Sequence, residues 1–130
     1  MQNTKIWIGR WTIFVAIGHT AVGLLVGGAV VLGVVRRGVF DAVGQDPMTG
    51  MVVWFLLFGA VLALLGMAIT ALERSERFES ARSLAIGIML LTTLGVVLMP
   101  VSGFWLMYVA VFGLLRRAPQ TPALRVPAQR

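Results

Sequence analysis

The chain has 130 residues, of which 58% are hydrophobic and 12% charged, and its formal net charge is +6. Soluble domains carry about 25% charged residues, and a chain this apolar would expose large apolar patches in water, so the composition indicates a membrane protein. With no cysteine and one histidine, the sequence offers no disulfide framework and no usual metal site, and it carries no cofactor motif.

The first predicted element is a membrane-spanning helix over about residues 11–35. No Asp, Glu, Lys or Arg separates Arg10 from Arg36, and roughly 20 apolar residues cross a hydrocarbon core of about 30 Å. The apolar run is too long for a signal peptide and lacks a small-residue cleavage site, so we predict an uncleaved span. It contains His19, the only histidine.

A loop over residues 36–50 follows, with a turn predicted at Asp46-Pro47. A second span of 22 uncharged residues is predicted over 51–72. The segment 73–82 holds three glutamates and three arginines, whose charges cancel. We interpret it as a charged, solvated hinge.

Residues 83–115 form an apolar run of 33 residues, about 50 Å as one helix and far more than a bilayer needs. Proline cannot continue the helix, so the stretch from Pro100 to Gly103 predicts a tight turn. This divides the run into a third span over 83–99 and a short fourth span over 103–115. Residues 118–130, with three prolines, are predicted to form a flexible cytoplasmic tail.

The basic residues predict the orientation of these four spans. One side would hold nine of the eleven, and the other would hold Arg36 and Arg37. The nine are Lys5, Arg10, Arg74, Arg77, Arg82, Arg116, Arg117, Arg125 and Arg130. Because basic residues concentrate in cytoplasmic segments, both termini are predicted to be cytoplasmic in a bacterial inner membrane. The orientation in the membrane therefore explains the net positive charge, and no nucleic-acid partner is predicted.

Small residues recur at helical spacing in each span, which favours close helix packing in lipid. They are Ala16, Thr20, Gly23 and Gly27; Gly59, Ala63, Gly66 and Thr70; Gly87 and Gly95; and Gly103, Ala110 and Gly113. Packing within one chain is the first interpretation. The alternative is a homodimer formed through Gly23 and Gly27.

His19 shares a helix face with these two glycines and should point into the bundle. It is either a general acid or base, or a neutral imidazole bonded to a neighbouring group. Tyr108, Thr92 and Thr93 are predicted at the same depth, roughly 12–16 Å above the inner charges. We therefore predict that His19 meets one of these hydroxyls and that His19, Tyr108 and Thr92 line any ligand site.

Two further groups of candidates lie near the predicted outer boundary. Trp54 and Trp105 fit an interfacial aromatic belt, or alternatively rim a pocket for an apolar molecule together with Ser102. Asp41 and Asp46 are the only acids of that side. They are interpreted as turn caps or loop ion pairs, or alternatively as a carboxylate pair acting on a lipid headgroup.

Several motifs together resemble a known family. They are WIGRW (7–11), the histidine of the first span, VVRRGVFDAVGQDP (34–47) with Trp54 and Phe55 after it, and LMPVSGFW (98–105). They are similar to a bacterial family of small four-helix membrane proteins known only as a domain of unknown function. The resemblance implies a four-helix membrane fold and brings no activity with it. Arg37 stands where members of that family often carry an acid.

The sequence thus predicts an all-α, polytopic membrane four-helix bundle with a tight turn between helices 3 and 4. Its partner in the bilayer would be a lipid, another apolar small molecule or a second membrane helix. The alternative is an isomerase or cyclase acting on a lipid-soluble substrate, with His19 as acid or base assisted by Asp41 or Asp46. A small multidrug exporter is disfavoured, because the glutamate that such proteins need in the first span is missing.

Overall fold

The computed structural model describes residues 6–75 and 81–118. In these residues the chain forms four α-helices: α1 (Ile8–Arg37), α2 (Pro47–Ser75), α3 (Ala81–Leu98) and α4 (Met107–Arg117), with a 3₁₀ turn (Gly103–Leu106) before α4. Among the described residues, α1, α2 and α3 are long and apolar enough to cross a membrane. The predicted all-α bundle with a tight turn between helices 3 and 4 is confirmed.

Helices α1 and α2 form a closely packed antiparallel hairpin. A Cβ atom added at Gly66 would lie 2.9 Å from the Gly9 carbonyl oxygen, and one added at Gly9 would lie 2.5 Å from the Gly66 oxygen. The two backbones touch here, and only glycine at both positions allows that approach. Further along, a Cβ at Gly27 would lie 2.5 Å from Val52.

Two small residues of the first span, Gly23 and Gly27, therefore pack inside one chain. Gly23 and Gly27 are both buried, Gly23 against Phe55 and Gly27 against Val52. The interpretation of packing within one chain holds at these two positions, and α2 covers the face that a second copy would need. A homodimer through this face stays a prediction that the single chain does not test.

Helices α3 and α4 form a second, shorter hairpin. The turn seats the Phe104 ring on Gly95, where an added Cβ would lie 2.6 Å from the ring. The 3₁₀ turn of four residues and α4 of eleven residues together reach about 25 Å, because a 3₁₀ turn rises ~2.0 Å per residue. The fourth segment is thus nearer to the ~30 Å of a bilayer core than its residue count suggests.

The two hairpins meet through α1 and α4. Gly113 of α4 packs on Trp7 and Ile8, and the Trp11 indole donates to the Leu106 carbonyl at 2.8 Å. Ile8 and Leu114 are fully buried in the core at this contact. The order around the bundle is therefore α2, α1, α4, α3.

The boundaries of the charged segment differ from the prediction. Helix α2 continues through Ser75, so Glu73 and Arg74 are helical rather than part of a hinge. The remainder of that segment up to residue 80 lies outside the described residues. So does the predicted tail beyond Ala118.

Candidate functional site

His19 lies in α1 against an aromatic face of α2. Its Nε2 atom is 3.0 Å from the Phe55 carbonyl oxygen. The ring stacks on Phe55 at 3.9 Å between centroids and meets the edge of Phe58 at 5.5 Å. Because a carbonyl oxygen only accepts, Nε2 carries the proton of the neutral ring and Nδ1 is left with its lone pair.

The predicted partner of His19 was wrong. His19 bonds the backbone of α2, whereas the Tyr108 hydroxyl pairs with Thr93 Oγ1 at 2.9 Å. Thr93 also donates to the Met89 carbonyl of its own helix, and Thr92 is buried on the core face of α3. His19 and the Tyr108–Thr93 pair thus find their partners in different hairpins and do not meet as predicted.

Trp54 and Trp105, predicted near the outer boundary, have different surroundings. Trp54 is 73% exposed and makes no ring contact with the described residues. Trp105 donates its indole N–H to the Pro100 carbonyl at 2.9 Å and lies 6.0 Å from the Tyr108 ring. Ser102 precedes the 3₁₀ turn, and its buried Oγ has no hydrogen-bond partner in the described part of the chain.

The two acids of the first loop have different surroundings. Asp46 caps α2, as the turn-cap interpretation predicted, by accepting the backbone N–H groups of Met48 and Thr49. These bonds and the Thr49 hydroxyl lower the pKa of Asp46 below its ordinary value of 3.8. Asp41 is exposed with a positive φ of 52°. Asp46 precedes Phe55, the partner of His19, by nine residues or about 14 Å of helix, so the structure does not bring Asp46 to His19.

An apolar groove separates α2 from α3. Within the described residues, no Cα atom of α2 comes within 8 Å of a Cα atom of α3. The groove has a volume of about 700 Å³, within the ~300–1,000 Å³ range of ligand sites. Its walls include Leu65, Ala68 and Leu72 of α2, and Ser83, Gly87 and Leu91 of α3.

Gly87 does not serve the helix packing expected of it. A Cβ atom added there would meet no atom within 4 Å, so its missing side chain leaves the groove open. The other glycine of α3, Gly95, does pack closely, on Phe104. The small-residue pattern of the third span therefore combines a packing position and a groove position.

Glu73 is the residue that the sequence interpretation missed. It is 1% exposed, and its Oε1 atom accepts the N–H groups of Trp7 and Ile8, each at 3.2 Å. Its Oε2 atom accepts the Gly9 N–H at 2.9 Å. Arg117 completes the cluster with an ion pair of 2.6 Å. We call this cluster the Glu73 clasp, and it joins one end of α1, α2 and α4.

The sequence did contain a signal for this carboxylate. Helix α1 begins after Trp7, which supplies no side-chain cap. The first N–H groups of a helix need acceptors, and in a bilayer these must come from the protein. A carboxylate elsewhere in the chain can serve as this acceptor, and an anion at a helix N-terminus is also favoured by the helix dipole.

Comparisons with known proteins add a family and no activity. Residues 3–121 match a family described as "Family of unknown function (DUF6463)". No curated protein and no solved structure matches the chain. In the described residues, no group of three or more His, Cys, Asp or Glu side chains could hold a metal ion.

Proposed function

Because the chain belongs to this family of unknown function, which supplies no activity, we propose from its geometry that it is a small membrane protein that binds a lipid. The lipid chain would occupy the groove between α2 and α3. The observation that carries the proposal is the separation of these two helices by an apolar space.

Helix packing in a bilayer explains why such a space needs an occupant. Lipid tails are as apolar as leucine, so helices associate mainly through van der Waals contact and hydrogen bonds. Two neighbouring helices whose backbones stay this far apart lose part of those contacts unless something fills the gap between them. An acyl chain in the groove touches walls on both sides, whereas an ordinary boundary lipid touches the protein on one side.

The position of the groove also suits a molecule that arrives from the membrane. The groove extends from Leu65 to Leu72 along α2 and from Ser83 to Leu91 along α3, about 10–12 Å of helix. Leu91 is 55% exposed. A lipid can therefore enter sideways from the bilayer without unfolding the bundle.

Filling the groove tests the proposal. Gly87→Leu adds a side chain to the open space in the groove wall, and Gly28→Leu adds the same side chain to open space on α1. Both glycines lie inside helices, so replacing either by leucine raises the helix propensity by the same amount and the two variants differ only in whether the groove is filled. Mass spectrometry of the intact protein, released from bilayer discs, would count the lipids retained.

We expect the wild type and Gly28→Leu to retain a lipid and Gly87→Leu to lose it. Equal retention by the two variants would refute lipid binding in the groove. If a second protein copy is retained where the lipid was expected, the groove is a helix-docking site instead.

We place the protein in a bacterial inner membrane with both termini in the cytoplasm. The apolar helices and the nine basic residues assigned to one side support this placement. The Glu73 clasp and the end of the groove at Leu72 and Ser83, which we call its lower end, then lie at the cytoplasmic boundary. Reporter fusions, described below, test the orientation.

A second candidate function is catalysis by His19 on a lipid-soluble substrate. The observation that favours it is the Nδ1 atom, which has no hydrogen-bond partner among the described residues while Nε2 donates to Phe55. Nδ1 can therefore accept a proton. Incubation with bacterial lipid extract followed by mass spectrometry should show a conversion that His19→Ala abolishes and Tyr108→Phe retains. A conversion unaffected by His19→Ala would exclude this role.

A further inference from the structure

The lower end of the groove lies beside two exposed arginines. Arg82 is the residue before Ser83, and Arg74 is two residues after Leu72. We infer that the lipid in the groove is an anionic phospholipid whose headgroup these two arginines bind. This inference rests on the proposed lipid-binding function and adds the chemical class of the headgroup.

The Glu73 clasp changes the charge balance at this end of the groove. Glu73 is buried and paired with Arg117, so it does not neutralise the arginines of its own segment. Without Glu73, the sequence from Arg74 to Arg82 has three arginines against two glutamates. By formal charge, the rest of the segment predicted to be neutral is therefore net positive once Glu73 is paired with Arg117.

Arg74 and Arg82 are also available to a ligand. Neither forms an ion pair or a side-chain hydrogen bond within the described ranges, 6–75 and 81–118. A long arginine stem can lie along apolar surface while the guanidinium stays at the polar boundary. The planar guanidinium binds phosphate oxygens in pairs, which suits a phospholipid headgroup above a buried chain.

Arg36 provides a matched control. It is an exposed arginine at the last turn of α1, at the opposite end of the α1–α2 hairpin from the lower end of the groove. It should not influence a headgroup bound near Ser83. Comparing Arg36→Gln with Arg74→Gln and with Arg82→Gln, each of which removes one charge, separates headgroup binding from a general loss of positive charge.

The experiment measures competition between two named lipids for the full-length protein. Bilayer discs contain dioleoyl phosphatidylglycerol and dioleoyl phosphatidylcholine in equal amounts, and mass spectrometry reads which one is retained. A basic residue near a surface favours an anionic lipid by about fivefold, so both arginines together should give a preference of roughly 25-fold. We expect this preference in the wild type and Arg36→Gln, near loss in the double variant Arg74→Gln/Arg82→Gln, and weakening as salt is raised.

The outcomes separate the two proposals. If Gly87→Leu abolishes retention but the wild type holds both lipids equally, the groove binds lipid and the headgroup inference is wrong. The inference is also wrong if Arg74→Gln/Arg82→Gln keeps the wild-type preference. If lipid retention is unaffected by Gly87→Leu, lipid binding in the groove itself is refuted. A melting curve close to that of the wild type shows that the double variant is folded.

Discussion

Replacing Glu73 by glutamine tests how the Glu73 clasp stabilises the bundle, because the change keeps the side-chain shape and removes the charge. The carboxylate accepts three backbone N–H groups and Arg117 with its two oxygens. Glutamine has only one oxygen, and its NH₂ group cannot accept. If that oxygen replaces Oε1, the Gly9 N–H faces the NH₂ group and is left unsatisfied.

The expected loss follows from two separate effects. A buried donor without a partner costs about 1–3 kcal/mol, and removing one member of a fully buried ion pair costs about 3–5 kcal/mol. Arg117 keeps 18% of its side-chain surface exposed, so water still solvates part of its charge. Counting the partly solvated ion pair as about 1 kcal/mol and the unsatisfied donor as about 2 kcal/mol, we expect Glu73→Gln to lower the free energy of unfolding by about 3 kcal/mol.

A double-mutant cycle identifies the ion pair within this loss. Arg117→Gln removes the charge that pairs with Glu73, so the double variant Glu73→Gln/Arg117→Gln should be more stable than the two single losses predict, by at least ~1 kcal/mol. Unfolding by sodium dodecyl sulfate in mixed micelles, followed by tryptophan fluorescence, measures each free energy. A Glu73→Gln variant within about 0.5 kcal/mol of the wild type would show that the clasp is not a stabilising element.

Three further predictions test other parts of the fold. Gly66→Ala should be about 1–3 kcal/mol less stable than Gly28→Ala, because its Cβ would lie 2.9 Å from the α1 backbone whereas Gly28 faces open space; equal stabilities would contradict the backbone contact. The lowered pKa of Asp46 means that its cap stabilises the folded state above the ordinary value of 3.8 and that this contribution is lost as pH falls through the lowered value. Asp46→Asn keeps a good cap without this pH dependence, so the melting temperatures of the wild type and the variant, measured from pH 6 down to 2.5, should converge at low pH. A constant difference between the two proteins across this range would refute the assignment. A reporter fused after Arg130 should be active only in its cytoplasmic form and one within 36–50 only in its external form; the reverse result would overturn the orientation.

The positions of the helices could be predicted from the sequence because uninterrupted apolar length is a local property. The spans predicted over 11–35 and 51–72 lie inside α1 and α2, and Pro100 lies between α3 and the 3₁₀ turn, where a break was expected. Hydropathy marks the core of a helix, whereas its ends depend on caps, so both long helices extend beyond the predicted limits.

The candidate site was less predictable because it depends on which helices are neighbours. His19 was expected to meet a hydroxyl of helix 3 or 4, yet a nearer acceptor, the Phe55 carbonyl, lies on α2. Glu73 has its partners 44 to 66 residues away in sequence, beyond the reach of any pattern of helical spacing. The separation of α2 from α3 likewise leaves no trace in the periodicity of either helix.

The sequence separation between Glu73 and Arg117 has a consequence for how the protein is made. The N–H groups of the first turn of α1 are synthesised before Glu73, but Arg117 follows 44 residues later. The α1–α2 hairpin therefore leaves the ribosome with a carboxylate held only by three backbone amides. Its pairing with Arg117 waits for the end of α4, so we expect docking of the second hairpin to follow formation of the first, and a chain truncated before Arg117 should lack this contact.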